Sequence, residues 1–235
     1  IIKYIASDII VIFKEVKKQF NDPKTILIYN GINPKEFKQN SEIKMIRRRY
    51  KLNKKEIVFT HIGQLFARKG SYIFLKAAKM LIKSNYNVRF FVVGGPTSSA
   101  VDRSNISFIV KIINIGKWLL GYRNYKKNNK EKLEMFARDL GITEKVIFTG
   151  YRNAVQNFIA LSDAVVAPHC VPEPFGRVLI EAGALRKPII STNIPPTPEI
   201  VIDGKTGLLV EPSSPKALAK AMEYIINNPI EAQKM

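Results

Sequence analysis

The stretch 145–169, KVIFTGYRNAVQNFIALSDAVVAPH, carries one complete strand–helix–strand unit. Lys145–Thr149 is a short apolar, β-branched run, Ala154–Leu161 follows a helical pattern, and Ala164–Ala167 is again continuously apolar. Strands that are apolar on both faces and joined by a helical crossover belong to a parallel sheet covered on both sides. The same alternation runs outward in both directions. Further strands are predicted at Asp8–Phe13, Thr25–Tyr29, Glu56–Ile62, Val88–Val93, Pro188–Ser191 and Gly207–Val210, with helices at Lys14–Phe20, Ser71–Lys83, Lys130–Leu140, Arg177–Leu185 and Pro215–Asn227. Strand, crossover helix and strand, repeated, define a doubly wound α/β sheet.

Composition narrows the class. The chain has 235 residues, 46% hydrophobic and 24% charged, which excludes disorder, collagen and coiled coil and leaves room for a sizeable core. A single cysteine, Cys170, rules out a disulfide framework and any multi-cysteine metal site. Two histidines, His61 and His169, leave too few ligands for most zinc sites. Thirty-eight Lys and Arg against nineteen Asp and Glu give a net charge of +19. Either the partner is anionic, or Lys-rich usage has simply been written onto solvated positions. No run reaches the ~20 apolar residues of a membrane-spanning helix. The chain opens on Ile1, without the cationic start of a secretory leader and already strand-like, as expected for a piece of something longer.

Two segments break the rhythm. Lys44–Lys55 is a basic stretch ahead of the Glu56 strand, and Thr97–Asn129 is longer than connections in compact domains usually are. Within the second, Ser107, Lys111, Asn114 and Lys117 form one narrow polar stripe, followed by Trp118 and a basic flank from Arg123 to Lys130. An interfacial helix or a helix buried against its own domain would both look like this. The sequon at Asn105-Ile106-Ser107 reads as chance.

In an open α/β sheet the ligand binds beyond the carboxyl ends of the strands, so the residues after each strand matter most. Gly63-Gln64-Leu65-Phe66-Ala67-Arg68-Lys69-Gly70 leads from a strand into a helix, with glycines and two cations where a diphosphate could be cradled; an ordinary strand–helix turn is the alternative. Gly94-Gly95-Pro96 and Gly150-Tyr151-Arg152 follow two further strands. The most specific stretch is HCVPEPFGRVLIE (169–181). Glu173 falls in the loop and Glu181 a bit more than one turn inside the following helix. Together they could hold the two ends of one elongated polyhydroxyl ligand, with the amides of Phe175, Gly176, Arg177, Val178 and Leu179 at the helix start cradling a phosphate between them. A cap plus a buried ion pair is the structural alternative.

Taken in order, IYNGINPKEF (28–37), IGQLFARKG (62–70), FVVGGP (91–96), VIFTGYRNAVQNFIALSDAVVAPH (146–169), EPFGRVLIEAGALRKPIIST (173–192) and PEIVIDGKTGLLVEP (198–212) resemble the carboxyl-terminal half of a group 1 (family four) retaining glycosyltransferase of GT-B fold. The likeness covers residues 4–228 apart from the 97–129 insertion. It implies a Rossmann-like nucleotide-sugar-binding domain at 29–235, preceded at 1–28 by the remnant of an acceptor domain and linker. It further implies an NDP-sugar donor, with Lys69 and Arg68 at the diphosphate, Gly63, Gln64 and Gly94 in the glycine turns, and Glu173 on sugar hydroxyls. Phe175 and Gly176 would offer amides to the sugar, Val178 and Leu179 toward the phosphate, Glu181 would take the ribose, and Tyr151 with Arg152 would meet the base. No Asp-x-Asp occurs, so no metal cofactor is expected, and Lys/Arg with a helix N-terminus would stabilise the leaving diphosphate.

The chain departs from the family where Gln64 replaces the usual arginine and where Pro195-Pro196 replaces a glycine pair, removing two backbone donors. Its acceptor would be unknown, a lipid-linked or envelope glycan being compatible, and its place cytoplasmic, peripheral at the inner face of the membrane if Ile106–Lys130 meets an anionic surface. The competing reading is a basic membrane- or nucleic-acid-binding module with a degenerate donor site. It lacks the aromatic–basic repeat of an RNA reader, so no nucleic acid is expected. A phosphorylase would show a pyridoxal-lysine context, and none is found.

Overall fold

The computed structural model of the chain describes residues 8–20, 22–37, 42–95 and 129–235. The long segment 97–129, with its polar stripe and sequon, lies outside these residues up to position 128, as does Pro96.

Six parallel strands form the main sheet: β3 (Ile57–Ile62), β4 (Val88–Val93), β5 (Val146–Gly150), β6 (Ala164–Ala167), β7 (Ile189–Thr192) and β8 (Gly207–Val210), in the order β5-β4-β3-β6-β7-β8. The chain moves outward from β3 through β4 to β5, then crosses back to lay β6 on the other side of β3. That reversal is a topological switch point, and it opens the carboxyl ends of β3 and β6 to a ligand.

Alternation along the strands explains why both faces need cover. On one face Phe59, Phe90 and Val92 pack with α3 (Ser71–Lys83), α4 (Asn129–Asp139) and α7 (Pro215–Asn227). On the other, Val58, Phe91 and Val93 pack with Phe158 and Leu161 of α5 (Val155–Leu161), while Val165 and Ala167 meet Leu179 and Ala182 of α6 (Arg177–Ala184). Phe59, Phe74, Phe90 and Phe91 are fully buried, each worth about 2 kcal/mol in removed apolar surface. At the amino end of β3, Glu56 is held by Arg89 (2.8 Å) and Lys145 (3.7 Å), pinning three neighbouring strands there.

The structure adds to the predicted elements in two places. Within the basic stretch Lys44–Lys55, α2 (Glu42–Arg49) is a helix, because Ile43, Ile46 and Tyr50 recur at helical spacing and anchor it on the sheet. A short α8 (Pro229–Lys234) closes the chain. The first two strands, β1 (Ile9–Val11) and β2 (Thr25–Leu27), flank α1 (Lys14–Phe20) and, among the described residues, pair only with each other, in parallel, outside the main sheet. Among the described residues no helix is long and apolar enough to cross a membrane.

Candidate functional site

After β3 the chain makes a 3-10 turn, Ala67–Lys69, and enters α3 through Gly70. Gly70 is left-handed (φ 77°, ψ 18°), and a Cβ there would lie 1.7 Å from the Pro168 carbonyl oxygen. Only glycine lets the turn approach the segment after β6 this closely. The two segments are also tied by main chain, Cys170 N–H donating to the Arg68 carbonyl at 2.9 Å. This junction brings charges together. Arg68 Nη1 stands 2.6 Å from Glu173 Oε1, and Lys69 Nζ 2.5 Å from Oε2. Glu173 is 5% exposed, Lys69 18% and Arg68 33%, so the carboxylate lies beneath its two cations. The Arg68 guanidinium also lies over the Phe66 ring.

Glu181 sits on the second turn of α6, buried, with Arg177 Nε at 2.8 Å. Burial raises its carboxyl above the usual carboxylate range, and the exposed Arg177 guanidinium pulls the other way. Gly176 caps α6 in the left-handed conformation (φ 80°). Phe175 is buried and its ring faces Tyr29 at 6.5 Å. The Leu179 amide, expected to be available to a phosphate, donates instead to the Gly176 carbonyl at 2.9 Å, because the first turn of α6 tightens on its cap. Val178 is half-buried against the apolar cluster of α5 and α6.

On the β4–β5 side of the switch point an open pocket of about 170 Å³ is lined by Gly63, Gln64, Gly94, Gly95, Tyr151 and Arg152 over a floor of Ile62, Val93 and Val155. Its glycines are there for backbone proximity. A Cβ on Gly94 would meet the Gly63 carbonyl oxygen at 1.8 Å. The Gly63 amide donates to Val93 and the Gly94 amide to Gly150, both at 3.0 Å, so both serve the sheet. Gln64 is exposed and uncharged at the rim. Of the residues singled out in the sequence, the structure brings Glu173, Arg68 and Lys69 into one cluster, and Gly63, Gln64, Gly94, Tyr151 and Arg152 around one pocket. Among the described residues no three His, Cys, Asp or Glu side chains gather into a metal-binding group.

Three features had escaped the sequence. Glu199 accepts from the Lys14 amide through both carboxylate oxygens (3.0 Å each) and from the Tyr29 hydroxyl (2.9 Å), tying the segment before the main sheet to the Thr197–Glu199 turn. Its place in the quoted Pro-Glu-Ile motif was the available signal. His61, on β3, donates from Nδ1 to the Val166 carbonyl and accepts from the Ser71 hydroxyl at Nε2, both 3.0 Å. His169 is buried just beyond β6, its Nδ1 without a hydrogen-bond partner among the described residues. Burial, helped by the Lys69 charge, pushes His61 down to about 4, and burial, then the Lys69, His61 and Arg68 charges, push His169 down to about 3.

Both imidazoles are therefore neutral in the fold, whereas unfolded they protonate below their ordinary 6.5. The unfolded chain binds more protons in that window. The histidines' contribution to stability is expected to be full above pH 6.5 and to be lost as pH drops toward 4, by roughly 3 kcal/mol for His61. Urea unfolding between pH 7.5 and 4.5 is expected to show a shallower loss in His61→Asn than in the parent; parallel profiles would contradict this.

The family model described as glycosyl transferases group 1 matches residues 42–235. The chain belongs to that family, and its sheet is the Rossmann-like carboxyl-terminal half of the GT-B fold. Among curated relatives, the capsular polysaccharide biosynthesis glycosyltransferase CapM of Staphylococcus aureus is 25% identical over 236 residues, 96% of this chain and 53% of that protein. The chain spans about half the length of the curated relatives it matches end to end. Anabaena HepE, solved in complex with UDP and glucose, superposes with a TM-score of 0.80 at 22% identity, over 99% of this chain and 57% of that one. The separately crystallised C-terminal domain of LpcC, a group 1 family protein of Francisella tularensis, superposes at 0.64 with 23% identity, over 87% of this chain and 92% of that one. The family match leaves the alternative of a basic membrane- or nucleic-acid-binding module without support.

Proposed function

We propose that the chain is the donor-binding half of a retaining glycosyltransferase that takes its sugar from a nucleoside diphosphate. The observation that carries this is the joining of Arg68, Lys69 and Glu173 at the switch point, two cations and a hydroxyl-accepting carboxylate beside a glycine-lined pocket. The solved complex of HepE with UDP-glucose, a protein of the same fold, supports the choice of ligand class.

In this reading the base enters the pocket by Tyr151 and Arg152, Glu181 accepts ribose hydroxyls, and Glu173 accepts hydroxyls of the sugar. Reaction breaks the bond between the anomeric carbon and the diphosphate oxygen, whose electron pair stays with the phosphate. Lys69 and Arg68 stabilise that charge within a partly buried site, where it is worth more than in water. The acceptor hydroxyl bonds to the anomeric carbon on the face the diphosphate leaves, and its proton passes to the departing diphosphate oxygen, which holds the electron pair of the broken bond. The acceptor, a lipid-linked or envelope glycan, is held by a preceding domain. No divalent cation is required, since the side chains supply the positive charge.

Calorimetry with UDP, GDP and ADP in the presence of EDTA tests this. One of them is expected to bind in the micromolar-to-millimolar range, unchanged when EDTA is replaced by magnesium. A folded sample giving no heat with any of the three would remove the proposal.

A further inference from the structure

We infer that Glu173 is a built-in counter-anion that makes the site favour a sugar-bearing donor over the bare nucleoside diphosphate left after transfer, an inference that rests on the donor-site reading above. Both carboxylate oxygens are already engaged, Oε1 by Arg68 at 2.6 Å and Oε2 by Lys69 at 2.5 Å. These are the same two cations that a diphosphate would recruit. Because Glu173 is only 5% exposed, it cannot turn to bulk water when they are drawn away. A buried carboxylate stripped of its partners is strongly disfavoured.

The two ligands answer that deficit differently. A sugar brings vicinal hydroxyls, which donate to the carboxylate and replace what the cations gave. Where the sugar would lie, a bare nucleoside diphosphate offers Glu173 only the acceptor oxygens and further negative charge of its terminal phosphate, so the same side chain opposes it twice, by competing for Arg68 and Lys69 and by like-charge repulsion. Once the sugar has left with the acceptor, Glu173 takes its cations back and the nucleoside diphosphate is loosened. One carboxylate then both recognises the donor and promotes release of the product, and the position of Glu173 under its cations, rather than at the open rim, is what links the two.

The test is calorimetry on the chain and on Glu173→Gln with UDP and UDP-glucose, GDP and GDP-mannose, and ADP and ADP-glucose. In the pair that binds, E173Q is expected to tighten the bare diphosphate by about tenfold, while the sugar-bearing donor gains less or weakens, so that the preference between them collapses. Glu173→Asp keeps the charge on a shorter arm and is expected to retain weak binding of the bare diphosphate. Melting curves of both variants establish that they are folded. A carboxylate acting only as a distant charge would shift both ligands equally, so an unchanged ratio in E173Q overturns the inference while leaving the donor site standing. Absence of binding by the parent chain to all six ligands would instead overturn the donor-site reading itself.

Discussion

Replacing Lys69 by alanine is expected to weaken nucleoside diphosphate binding by about 1.5–3 kcal/mol, roughly 10- to 150-fold. Lys69 ends the 3-10 turn before α3, and its ammonium is mostly shielded from solvent. A charge-assisted bond from such a position is among the stronger single contacts a phosphate can receive. The fold should largely survive the change, because Arg68 remains to pair Glu173. Melting temperature and affinity therefore separate: a modest shift in the first, a large loss in the second. Lys69→Arg is not expected to rescue fully, since a longer, planar fork directs its donors differently from a compact ammonium with three rotatable N–H groups. Unaltered affinity in a folded Lys69→Ala sample would show that the cation does not face the ligand.

The second large effect is on the junction that assembles the cluster. Gly70→Ala is expected to destabilise the chain by more than about 4 kcal/mol or to prevent folding. The added Cβ would sit 1.7 Å from the Pro168 oxygen and 2.6 Å from its carbonyl carbon, both backbone atoms that no rotamer change can move. The left-handed φ of 77° adds strain for any side chain. Relief requires the Arg68–Lys69 turn to part from the segment that carries Glu173, so what survives should also lose its ligand site. Gly183→Ala is the control: it lies on the exposed side of α6 with nothing within 4 Å of the new methyl, and should be neutral or stabilising by about 0.5–1 kcal/mol. Chemical denaturation of the pair reads the contrast, and equal stabilities would contradict the packing argument.

Much of the fold was legible because strand and crossover leave separate imprints. Ile57–Ile62 and Val88–Val93 are apolar nearly throughout, and the buried alternation of Phe59 with Val58 on opposite faces is what a doubly covered sheet demands. The helix α2 was harder to read. Its three arginines hide the Ile43–Ile46–Tyr50 stripe, and only the sheet face it covers reveals why the segment is helical. The pairing of β1 with β2 alone could not be read from sequence either, since short apolar strands look alike whichever sheet they join.

The site divides in the same way. Glu173 and Glu181 stood out through a spacing that sets one in a loop and one in a helix, and Lys69 through its place after β3. What local sequence could not convey was a contact across 105 residues, Arg68 with Glu173, which depends on β3 and β6 being neighbours. The Leu179 amide shows the converse. A helix start suggests an available donor, but the tightened first turn on Gly176 uses it. The Pro-Glu-Ile motif marked Glu199 but not its role, because its partners, the Lys14 amide and the Tyr29 hydroxyl, lie 170 residues or more away.

The most direct measurement is a crystal structure of the chain with the sugar nucleotide that calorimetry selects. The account predicts the diphosphate against Lys69 and Arg68, sugar hydroxyls on Glu173, ribose hydroxyls on Glu181 and the base in the pocket beside Tyr151. A sugar nucleotide bound elsewhere, with Arg68 and Lys69 still closed on Glu173, would contradict it.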